Sequence, residues 1–117
     1  MKPVKDESIS LERIVHLCRD LLEKKSKIKS INDFVKETDC AKIIAFDLIQ
    51  ISETFSRLDD ETKSRFRCVS EATIKGMRNV LVHDYGRING SLVKATLDED
   101  IDPLLRETQK IIEDINR

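Results

Sequence analysis

Leu11, Ile14, Val15, Cys18, Leu21 and Leu22 lie three and four residues apart and form one apolar stripe, the period of an amphipathic helix. A second stripe with the same spacing runs through Ala41, Ile44, Ala45, Leu48, Ile51 and Phe55, with Ile49 beside it. Only three glycines and two prolines punctuate the 117 residues, too few for the many tight turns of an all-β fold. The hydrophobic share of 39% and the charged share of 37% suit a small helical protein with a narrow core and densely charged outer faces. The length fits one domain spanning residues 1–117.

The pattern predicts a first helix over residues 10–25, capped by Ser10. Lys24, Lys25, Lys27 and Lys29 follow at its end, where positive charge complements the helix dipole. That cluster reads as a solvated helix end or as the edge of an RNA-binding surface. Ser30-Ile31-Asn32-Asp33 resembles a capping box and predicts a short helix through residue 37. A second long helix is expected over 39–58. Glu53 falls among its apolar residues, so its carboxylate must be partly exposed or paired. Asp59-Asp60-Glu61 opens a short helix over 61–67, acidic end first. A further helix over 71–85 turns Ile74, Met77 and Leu81 to the core, with Gly86 as its left-handed cap. A turn over 88–90 and a short helical turn over 91–97 come next. Asp102-Pro103 opens the last helix, which buries Leu104, Leu105, Ile111, Ile112 and Ile115. These elements make an all-α bundle with two antiparallel long helices and short helical additions.

A net charge of −1 excludes binding to nucleic acid by bulk attraction, though not through a local basic cleft. No apolar run is long enough to cross a membrane, and Met1 to Glu7 holds no apolar signal core, so a cytoplasmic protein is expected. Cys18, Cys40 and Cys68 are odd in number and widely spaced, unlike a disulfide framework or a zinc site. Cys18 lies on the first stripe and reads as a small core hydrophobe. No histidine lies near Cys40 or Cys68 in sequence to activate a thiol.

Reactive chemistry gathers in Arg78-Asn79-Val80-Leu81-Val82-His83-Asp84-Tyr85. Arginine can stabilise a phosphate, histidine can move a proton near neutral pH, and tyrosine offers a hydroxyl for hydrogen bonding or modification. Metal-free RNA cleavage needs such groups. The ribose 2′-hydroxyl attacks the neighbouring phosphate, one group takes its proton, another protonates the leaving oxygen, and a cation stabilises the developing charge. His83 suits the proton transfers, Arg78 the charge, and Asn79 the orientation of either. No carboxylate constellation suggests a metal, and no cofactor is expected. On a helix advancing about 100° per residue, Arg78 and His83 diverge by roughly 140°. They meet only if the long arginine reaches round, if the last turn frays, or if a two-fold dimer brings two copies into one cleft. The plainer reading is a histidine complementing a helix dipole and a solvated arginine.

Gly76-Met77-Arg78-Asn79-Val80-Leu81-Val82-His83-Asp84-Tyr85 closely resembles the signature of the HepT-like family of the HEPN superfamily. There Arg-Asn is followed by a few mostly apolar residues, His, any residue, then Tyr. The similarity extends to Ile51-Ser52-Glu53-Thr54, where family members often read Ile-Gly-Glu-Ala, and to Leu104-Leu105 at the start of the last helix. Ser52 and Thr54 replace the usual small residues, a difference that bears on packing at the subunit interface. Ser70-Glu71-Ala72-Thr73 stands where a Pro-Trp pair is common.

The resemblance implies a HEPN-like helical homodimer of four to five main helices per chain whose two motifs share a cleft. It implies a metal-independent endoribonuclease, the toxin of a toxin–antitoxin pair, whose usual antitoxin is a minimal nucleotidyltransferase. Arg78 and His83 would be catalytic, Asn79 supporting, and Tyr85 the acceptor of an AMP group transferred by the antitoxin. Two other readings remain. One is a non-catalytic helical partner that presents a nucleotide or Tyr85 to a nucleotidyltransferase. The scarcity of aromatics favours it, since readers of single-stranded RNA often stack bases on rings. The other is a helical DNA-binding regulator, for which no basic recognition helix is evident.

Overall fold

A computed structural model describes residues 4–28, 30, 32, 39–82 and 87–117. These residues form six α-helices: α1 (Val4–Lys25), α2 (Asp39–Ser56), α3 (Asp60–Ser64), α4 (Glu71–Gly76), α5 (Gly90–Glu99) and α6 (Ile101–Ile115). A 3-10 turn, Met77–Val80, continues α4, and two short strands, β1 (Leu81–Val82) and β2 (Arg87–Ile88), pair antiparallel after it. The architecture is an all-α bundle carrying one small hairpin. The expected short helix through residue 37 lies outside the described residues, as do Lys29 and Gly86.

The two sequence stripes form the core. Leu11, Ile14, Cys18 and Leu21 of α1 and Ala41, Ile44, Leu48, Ile51 and Phe55 of α2 are fully buried. The helices run antiparallel: Arg13 donates to Gln50 at 3.2 Å, and the Asp59 backbone N–H, just past α2, donates to Glu7 at 2.7 Å. α6 covers the other flank of α1, its most extensive partner. Leu104 and Ile111 are buried there, while Leu105, Ile112 and Ile115 pack at the core's edge.

Several boundaries differ from the sequence expectation. α1 begins at Val4, so Ser10 sits inside it and caps nothing. The physical reason is Glu7, only 5% exposed, whose bond to Asp59 ties the first turns to the end of α2. α2 ends at Ser56, with Leu58 buried two residues beyond. Asp59 is the N-cap of α3, accepting from the Thr62 N–H at 2.8 Å, so this helix spans 60–64 rather than 61–67. α5 is longer than the expected turn because Asn89 caps it through the Leu92 N–H, making Gly90 helical and not part of a turn. α6 starts at Ile101 with Pro103 in its first turn, where a missing N–H costs nothing.

The largest difference concerns the motif. The helix expected over 71–85 stops at Gly76, tightens to a 3-10 turn, and leaves helical geometry at Leu81, which has φ −101° and ψ 138°. Val80-Leu81-Val82 is rich in β-branched residues, which favour extended backbone. The paired strands and a 2.6 Å bond from the Asn89 N–H to the Val80 carbonyl complete the change. Leu81 is therefore 38% exposed, and Val80 is buried in the place expected of it.

Candidate functional site

α2 is the platform of the site. The 3-10 turn packs on it through Met77 and Val80, both buried. Ser70 caps α4 by accepting from the Thr73 N–H, and the Ser52 hydroxyl on α2 donates to the Lys75 carbonyl at 3.2 Å. Ser52 and Thr54 are both buried inside the chain, where they pack α2 against its own neighbours.

Arg78 and Asn79 lie side by side between those buried anchors and point outward. Both are exposed. The Arg78 Nη2 lies 3.4 Å from Glu53 Oε1, with the two side chains 53% and 43% exposed. The sequence required Glu53 to be exposed or paired, and it is both. Its placement beside Arg78 was not foreseen; a carboxylate set into an apolar helix was the available signal. The contact uses one guanidinium nitrogen and leaves other N–H groups of the fork available.

His83 and Tyr85 lie outside the described residues. Their place in the chain is between Val82 and Arg87, which face each other across the strand pair. Because residues 81–82 are extended, the helical angle between Arg78 and His83 no longer applies. The turn before the site is held by Glu107 of α6, a residue the sequence did not single out. Its carboxylate accepts from the backbone N–H of Arg67, Cys68 and Val69 at 2.8–3.3 Å. Partial burial pushes this carboxyl up, but the bonds from Cys68, Arg67 and Val69 outweigh it and hold it below the usual range.

Cys18 and Cys68 are poor nucleophiles here. Burial pushes the Cys18 thiol up to about 12. The exposed Cys68 thiol is raised by its hydrogen bond to Glu107 and that residue's charge. Among the described residues no three His, Cys, Asp or Glu gather as a metal site, and no helix is long and apolar enough to cross a membrane. The second histidine, His16, is exposed and 3.6 Å from Asp20 in a groove of about 570 Å³ between α1 and α6.

Residues 11–111 match the HepT-like family, described as Ribonuclease HepT-like. The chain belongs to the HepT-like ribonuclease family. This HepT-like chain is also 29% identical over 103 residues to "Putative RNase TTE0752" of Caldanaerobacter subterraneus subsp. tengcongensis, covering 88% of this chain and 91% of that protein. No solved structure matches it. The family match spans α2, the Arg78-Asn79 turn and most of α6 in one piece.

Proposed function

We propose that this single-domain chain is a metal-independent endoribonuclease, the cytoplasmic toxin of a HEPN/nucleotidyltransferase toxin–antitoxin system. The observation that carries the reading is the outward-facing Arg78-Asn79 pair on a turn anchored by Met77 and Val80, within a chain of the HepT-like ribonuclease family. Arg78 stabilises the phosphate as the 2′-hydroxyl attacks it and the 5′-oxygen departs. His83 takes or returns the proton, and Asn79 orients its neighbours. Glu53 is a positioning residue that restrains the guanidinium from behind.

Two copies form the working unit and share the cleft. The antitoxin is a minimal nucleotidyltransferase that transfers AMP to Tyr85. This places a bulky anion beside Arg78, where it excludes RNA and pairs with the guanidinium. The test is RNA cleavage by purified protein in excess chelator, beside Arg78→Ala and His83→Ala proteins shown to be folded. The native chain alone should cut. No cutting by any of the three, with Tyr85 shown by mass to be unmodified, would replace this reading with that of a non-catalytic partner of the nucleotidyltransferase.

A further inference from the structure

A second cationic surface lies away from the motif, in a groove of about 520 Å³ between α6 and the segment joining α3 to α4. Four cations line it: Arg65 and Arg67 from that segment, and Arg106 and Lys110 from α6. Such a cluster stands out in a chain whose net charge is −1. The α6 residues are four apart and so share one face. Ile111 is the most buried of the lining residues, at 4% exposure. The lining carboxylates are Glu107 and Asp114, and Glu107 is committed to three backbone N–H groups.

The cations are available to an anion. Arg65 pairs with Glu61 at 3.8 Å and Arg106 with Asp102 at 2.5 Å, both as solvent-accessible pairs four residues apart in sequence, which are weakly held. Among the described residues Arg67 and Lys110 make no ion pair. No aromatic ring lines the groove, so it offers phosphate contacts rather than base stacking. α4 and the first half of the 3-10 turn separate Ser70 from Arg78, a rise of roughly 13 Å. A strand held in the groove is thus connected to the motif only if it is longer than the two nucleotides flanking the cut.

We infer that this groove is a docking site for the phosphate backbone of the RNA substrate, holding the strand beyond the scissile bond without reading its sequence. The inference rests on the ribonuclease reading. The test compares the native chain with the Arg67→Gln/Lys110→Gln double variant, using a long single-stranded RNA and a dinucleotide over a range of salt. Neither side chain is buried, and circular dichroism confirms the fold. For the long RNA, kcat/KM should fall about tenfold at low salt. Its logarithm should depend less steeply on log salt, by about 1.4 for two lost phosphate contacts. Cleavage of the dinucleotide should be unchanged. A native chain that cuts the long RNA beside a variant with the same kcat/KM and salt slope overturns the groove and leaves the ribonuclease standing. The same holds if the variant keeps those values but no longer binds the nucleotidyltransferase, which would assign the groove to a protein partner. A native chain that cuts neither substrate overturns the ribonuclease reading and the groove together.

Discussion

Arg78 and Glu53 meet at 3.4 Å with both side chains about half exposed, so their pairing contributes only on the order of 0.5 kcal/mol to stability. Its value is in orientation. Glu53→Ala should lower kcat about tenfold with little change in KM and in melting temperature. Glu53→Gln, which keeps an acceptor, should recover part of the loss. A change in KM alone would show that Glu53 contacts the substrate or merely repels it. Thr54, one residue on, behaves differently. Thr96 and Thr108 donate to carbonyls one turn back, whereas the buried Thr54 hydroxyl has no partner among the described residues. Thr54→Val should therefore stabilise the chain by about 1 kcal/mol, raising Tm by about 4 °C. A fall in Tm on thermal melting would mean that the hydroxyl is bonded.

At the scale of elements, Glu107 joins α6 to the turn that launches α4. Its folded-state carboxyl is held below its ordinary value, so its contribution is present above about pH 4.3 and lost as pH falls through the lower folded value. Glu107→Gln should cost about 1–2 kcal/mol at neutral pH in denaturant unfolding, with the gap to the native chain closing in acid. A gap independent of pH would contradict this account. Gly76 ends α4 at φ −65°, and among the described residues a Cβ there would meet nothing within 4 Å beyond its own helix. Gly76→Ala should accordingly stabilise by about 0.5 kcal/mol, and destabilisation would show that a second chain packs on it.

The helices with long apolar stripes were legible in the sequence, because periodic burial of Leu11 to Leu21 and of Ala41 to Phe55 is a local signal. The end of the motif helix was not. Leu81 fits the helical period as well as Val80 does, and what decides between them is a bond from Asn89, nine residues away, together with strand pairing. Arg78 and Asn79 were legible as exposed chemistry, while the partner of Glu53 and the role of Glu107 were hidden because the contacts span 25 and 40 residues of sequence.

For the whole molecule, the proposed function requires two copies of the exposed Arg78 turn in one cleft. Sedimentation should find a dimer at the concentrations where RNA is cut, and an active monomer would contradict a shared cleft. The proposed reaction rests on the chemistry of Arg78 and His83. It is tested most directly by RNA cleavage in excess chelator, comparing the native chain with Arg78→Ala and His83→Ala. The native chain should cut, and each variant should lose about 100-fold or more. Equal cutting by either folded variant would contradict it.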